Sequence, residues 1–223
     1  MKRNYLKILL YLIFYYGISL SQNVTVDSSQ KQIIEISDGV YKIGNITIDK
    51  KKNEIQFEGV VNQDSGMIEL VACAPLGKTH ESIFVWNIVP YHLQVSMLLL
   101  GLNSGKGVSV QGDTTKPTGD SVNVFINWEE NGKHIEHQAE EFVWDITHSQ
   151  PMQKHSWIFT GSEIINGMFM ADQERSLLTT YRDPFTIIDN PLAGGTDDTV
   201  YRVNEKLIPK KGTKVYVRIE PAK

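Results

Sequence analysis

The sequence predicts a β-rich α+β fold, with mainly antiparallel sheet and one buried helix at about residues 90–102. Three observations carry this expectation. Short apolar runs alternate with polar residues at period two along most of the chain, turn residues separate neighbouring runs, and one stretch alone, PYHLQVSMLLLGLN, has the apolar density and length of a helix. The 223 residues are 41% hydrophobic and 22% charged, a balance that supports a globular core and excludes collagen-like or disordered chains.

Taken in order, Ile46 and Ile48 lead through the turn-like run Lys50-Lys51-Lys52-Asn53 to Ile55, Phe57 and Gly59, which reads as a β-hairpin. Met67 to Ala74 is apolar on both alternations except at Glu69. This suits a central strand covered on both faces, and it places Cys73 inside. A loop, GKTHES, precedes the apolar run Ile83 to Trp86. Pro90 then opens the helix, where its missing N–H is not required, and Gly101 closes it. The helix presents only a narrow polar strip, His92, Ser96 and Asn103, so it is expected to be mostly buried behind that strip.

Residues 105–119 are rich in Gly, Ser, Thr, Lys and Asp and predict a long loop within one domain. Val122, Val124, Ile126 and Trp128 alternate up to Asn131-Gly132, the preferred pair for a tight hairpin turn, before Ile135 and Ala139 return. Val215, Val217 and Ile219 alternate with polar neighbours in a last strand buried on one face. About ten short strands and one or two helices result.

The N-terminus reads as a secretory signal peptide, residues 1–21. Basic Lys2, Arg3 and Lys7 precede an uncharged stretch from Ile8 to Leu20, and Ser19-Leu20-Ser21 supplies small residues for cleavage. The apolar core is short for a membrane span; an uncleaved N-terminal anchor is the alternative, and membrane contact is then confined to that segment. A polar leader, 22–38, and a single domain, 39–223, follow. The expected location is extracytoplasmic, periplasmic or secreted. Losing residues 1–21 removes three basic and no acidic side chains, so the −4 of the full chain becomes −7. An acidic chain gains nothing from counterion release on a phosphate backbone, so no nucleic-acid partner is expected. An envelope or extracellular ligand or protein is.

Cys73 is the only cysteine, which excludes an intramolecular disulfide and an Fe–S cluster, and no cofactor is expected. Gly77-Lys78-Thr79 looks like the end of a phosphate-binding loop, but Ala72 stands where its first glycine belongs and Pro75 removes a donor. His80-Glu81 begins like a zinc-protease helix, but Phe84 occupies the second histidine position. A looser metal site from His80, Glu81 and His92, with a carboxylate such as Asp172, stays open. Cys73 with His80 could form a nucleophile–base pair, although a buried thiol behaves as a small hydrophobe. Asp172, Glu174, Asp183, Asp189 and the run Gly194 to Asp198 could offer oxygen ligands to calcium, with solvated turns as the simpler reading. The other histidines, His134, His137, His148 and His155, read as surface residues.

The blocks CAPLGKTHESIFVWNIVPYHLQVSMLLLGL, PTGDSVNVFINW, WIFTGS, MADQERSLL and IPKKGTKVYVRIEP, in that order from about Gly44 to Pro221, resemble the YdjY-domain family of bacterial exported proteins. The resemblance implies no particular reaction, ligand or cofactor. Some relatives carry iron–sulfur or ferredoxin-like labels, which one cysteine cannot serve. In MADQERSLL, Arg175 stands where the family pattern suggests a glycine, which puts a tight turn there in doubt. The distinctive positions carried over are Gly77, Lys78, Thr79, His80 and Glu81, a polar loop at the end of a buried strand. The bland alternative is that Lys78 pairs with Glu81 and His80 caps a following helix.

The leading expectation is therefore an extracytoplasmic, non-enzymatic domain that binds a ligand or protein through Lys78, Thr79, His80, Glu81 and His92. A metal-assisted hydrolase using His80, Glu81 and His92 is the second reading. A structural or assembly module, which would show as exposed apolar surface, is the third.

Overall fold

The computed structural model describes residues 33–222, so the expected signal peptide (1–21) and most of the expected polar leader lie outside the described residues. The end of the leader is tied down as an edge strand, Ile33–Ser37 (β1), against Val40–Ile43 (β2), which pairs with Ile46–Asp49 (β3). The lysine-rich turn closes through Asn53 in the left-handed region (φ 60°) into Glu54–Val61 (β4), the first expected hairpin. Leu70–Cys73 (β5), Ser82–Trp86 (β6) and the helix Pro90–Leu99 (α1) follow. A small pair, Ser104–Lys106 (β7) with Thr118–Gly119 (β8), flanks the long loop.

Ser121–Glu130 (β9) and Lys133–Gln138 (β10) form the second expected hairpin, with both Asn131 and Gly132 at positive φ as its tight turn demands. Val143–Asp145 (β11), Gln150–Pro151 (β12), Trp157–Phe159 (β13), the hairpin Ile164–Ile165 (β14) with Met168–Phe169 (β15), and a short helix Met170–Glu174 (α2) come next. Ser176–Thr179 (β16), Ile188–Asp189 (β17), Tyr201–Val203 (β18) and Lys214–Pro221 (β19) complete the described chain.

The sheet is not open. Strands run β4-β19-β9-β13-β17-β16-β5-β6, and β6 returns to β4 through Gly59↔Trp86 and Val61↔Phe84, closing an eight-stranded barrel. Pairing is mainly antiparallel, as expected, with β5–β6 and β16–β17 parallel. Closure depends on Gly59, because a Cβ there would lie 3.0 Å from both the Trp86 ring and the Val85 carbonyl. The period-two residues fill the interior: Ile55 and Phe57, Val122, Val124 and Ile126, Val215, Val217 and Ile219 are all buried. Phe57 meets Trp86 edge-on at 5.1 Å, a favoured aromatic geometry.

Helix α1 lies outside the barrel wall and departs from expectation. Its buried face is Pro90, His92, Leu93, Ser96 and Met97, whereas Leu98 is 47% exposed. Leu93 and Met97, four apart, set the inward direction, and His92 and Ser96 lie beside them on the same face. Ser96 satisfies its hydroxyl inside by donating to the His92 carbonyl at 2.7 Å. Of the polar strip, His92 and Ser96 therefore pack inside, and Asn103, beyond the helix end, stays exposed. No helix among the described residues is long and apolar enough to cross a membrane.

Candidate functional site

The GKTHES loop closes on itself. Residues Thr79–Glu81 make one tight 3-10 turn, and strand β6 rather than a helix follows, so His80 caps nothing and its side chain is 80% exposed. Lys78 lies 3.7 Å from Glu81, the pairing anticipated above, and 3.5 Å from Glu69. Asn62 donates to the Thr79 and Ser82 carbonyls, and Ser82 Oγ donates to the Lys78 carbonyl at 2.7 Å. Burial raises the Glu69 carboxyl, and the negative charge of Glu81 adds to it. Cys73 is buried at the end of β5, where loss of water pushes its thiol upward and keeps it inert.

His92 belongs to a different place. Its ring packs on Gly44, the β2–β3 turn residue at φ 54°, where a Cβ would lie 2.5 Å from His92 Nδ1. Together they border a cavity of about 550 Å³ on the barrel's outer side, with Leu76, Val89, Lys42 and Arg175 also on its walls. Residues 78–81 do not line it. Among the described residues, no three His, Cys, Asp or Glu side chains stand close enough to hold a metal ion. Asp172, considered above as a carboxylate partner, instead accepts the Tyr91 N–H at 3.0 Å and caps the first turn of α1.

Two backbone outliers mark this cavity. Among the described residues, six non-glycine residues have positive φ, and four are Asn53, Asn131, Ser149 and Asn166, small polar residues at turns. The other two are Leu76 (φ 68°) and Arg175 (φ 61°), and both line the cavity. The turn in MADQERSLL thus forms despite lacking glycine. Arg175 itself takes the left-handed position that ends α2 and donates its N–H to the Ala171 carbonyl. The two turns are locked together, since the Ala74 N–H donates to the Arg175 carbonyl at 2.9 Å and a Cβ at Gly77 would meet Arg175 Cβ at 2.6 Å.

A second compartment of about 700 Å³ continues along the outer face of β4, β19, β9 and β10. Lys42, Asn45 and Asn87 border both compartments, which makes one cleft of them. Asn45 Nδ2 donates to the Asn87 carbonyl at 2.9 Å and fixes this shared wall. The outer compartment carries Glu58, Glu136, His134, Tyr216 and Arg218. Arg218 stacks on Phe125 at 4.0 Å and pairs with Glu136 at 2.9 Å, so its charge is already used.

The acidic segment proposed for calcium is corrected in part. Asp183 and Asp189 are buried, not solvated turns: Asp183 accepts from Ser176 and from the Phe185 N–H, and Asp189 from Thr179 and the Asn190 N–H. Beside them buried Arg182 donates to the carbonyls of Asp113, Thr115, Asn190 and Leu192, fastening the long loop to the barrel end. His155 is also not a plain surface residue, because its Nε2 is buried and burial lowers its basicity. His137 stacks on Trp128 at 5.9 Å. Exposed apolar side chains do occur: Tyr91 and Leu98 on α1, and Ile164, Ile165 and Met168 on the β14–β15 hairpin beside it.

Of the residues that border the inner compartment, the sequence singled out His92, passed over Lys42, Asn45, Leu76 and Asn87, and marked Arg175 only as an oddity. No curated protein and no solved structure matches the chain. The model of the YdjY domain matches residues 46–220, which takes in the barrel strands up to, but not including, the last residue of β19. By that match, and in agreement with the sequence blocks that suggested it, the chain belongs to the YdjY-domain family.

Proposed function

We propose that this protein is an extracytoplasmic, non-enzymatic binding domain whose ligand lies in the two-compartment cleft on the barrel's outer wall. The observation that carries this reading is the coincidence of Leu76 and Arg175. They are the two side chains held in left-handed backbone without a turn residue's chemistry, and both face the same cavity. Strain of this kind persists where the surrounding structure over-determines it, and it gathers at ligand sites. A cavity of about 550 Å³ is also in the size range of small-molecule sites. Of the residues expected from sequence to touch the ligand, His92 borders this cavity. Lys78, Thr79, His80 and Glu81 would contribute by holding the Leu76–Gly77 turn in position.

The reading is tested by screening a library of small-molecule fragments against the 15N-labelled protein by NMR. Hits should shift the amide signals of Asn45, Asn87 and Leu76, the cleft wall. Hits confined to the hollow between Trp144 and Lys206, or no hits at all, would count against the cleft.

A further inference from the structure

The inner compartment has a sharply biased set of walls. It is bordered by Lys42, His92 and Arg175 and by no Asp or Glu. The chain holds 26 acidic residues against 22 basic ones, yet neither Lys42 nor Arg175 has a carboxylate within ion-pair distance among the described residues. The rest of the wall is mostly apolar, with Pro75, Ile88 and Val89 beside two side chains that face water: Ile34, 52% exposed, and Leu76, 93% exposed. A leucine presented almost wholly to solvent on left-handed backbone invites apolar cover. Glycine at position 175 would relieve the backbone there, but it would also remove the guanidinium.

Resting on the cleft proposed above, we infer that the inner compartment takes an amphipathic organic anion. Its acidic head sits between Arg175 and Lys42, and its apolar tail covers Leu76 and Ile34. The guanidinium fork of Arg175 suits a carboxylate's two oxygens, and Lys42 adds a point charge. Locking of the Leu76 turn onto the Arg175 turn through Gly77 fixes the spacing of head and tail sites before ligand arrives.

The test is isothermal titration of the purified protein with decanoate, with 1-decanol as the uncharged tail and acetate as the bare head. Decanoate should bind at least about tenfold more tightly than either. Lys42→Gln and Arg175→Gly should each weaken decanoate by about tenfold and leave decanol unchanged. Arg175→Gly relieves backbone strain, so its melting temperature should not fall, which separates lost binding from lost folding. Equal affinity for decanoate and decanol, or decanoate binding untouched by both substitutions, would overturn the inference. If fragments shift the cleft signals while decanoate does not bind, the anion assignment falls and the cleft stands; if neither perturbs the cleft, both fall.

Discussion

Asp189 offers a prediction whose size follows from its surroundings. It is 0% exposed on β17; Oδ1 accepts two hydrogen bonds at 2.8 Å, and Oδ2 has no partner among the described residues. Burial outweighs those bonds and lifts the carboxyl from 3.8 to about 7. The unfolded chain therefore releases this proton near pH 4 while the folded protein keeps it to about pH 7. Between those limits the folded state binds more protons, so stability falls as pH rises through the window and levels off above it. About three pKa units at roughly 1.4 kcal/mol each give about 4 kcal/mol as the full effect. Asp189→Asn keeps the shape and removes the charge. Urea unfolding followed by tryptophan fluorescence, at pH 4.5, 6 and 8, should show the variant near wild type at the lowest pH and more stable by up to about 4 kcal/mol at the highest. Other carboxylates titrate alike in both proteins and cancel in the difference. A gap between the two proteins that does not change with pH would refute the reasoning.

Three further outcomes are expected. Gly77→Ala places a Cβ 2.6 Å from Arg175 Cβ and 3.0 Å from the Ala74 carbonyl, so it should cost about 1–3 kcal/mol, read as a lower melting temperature. Arg182→Met strands carbonyls from two loops in the interior and should cost about 3 kcal/mol or more in urea unfolding, with faster amide exchange at residues 113–115. Arg175→Gly should raise stability by up to about 1 kcal/mol, because glycine accepts φ 61° without penalty; a loss of stability would show that the side chain supports the fold.

Much of the barrel was legible because its strands obey a local rule. Ile46 to Phe57 and Val122 to Ile135 alternate around turn residues whose required backbone is written in Asn53, Asn131 and Gly132. Closure was not legible, since it depends on β6 meeting β4 across the bare backbone of Gly59, and no local pattern announces which distant strand a glycine will face. Helix α1 was found, but its buried side was misread. Polarity alone put His92 and Ser96 outside, whereas a hydroxyl that bonds its own helix and a ring that packs on Gly44 are accommodated inside. Asp183 and Asp189 misled in the same way: their acidity suggested solvent, and their partners lie in the neighbouring strand and turn.

The cleft was the least readable feature. It gathers Lys42 from a hairpin, Leu76 from a turn, His92 from a helix and Arg175 from a second helix end, four segments with no common spacing. The single usable signal was an arginine standing where a glycine was expected, which pointed to a turn and was not read as a contact. The exposed GKTHES loop drew notice because its residue types carry chemistry, yet Lys78 is occupied between Glu69 and Glu81.

The crystal structure of the protein with decanoate tests the central claim most directly. The account predicts the carboxylate in hydrogen-bond reach of the Arg175 guanidinium, with the alkyl chain lying over Leu76. A carboxylate seated on His80 or at the outer face beside Arg218, with the Arg175 cavity left to water, would contradict it.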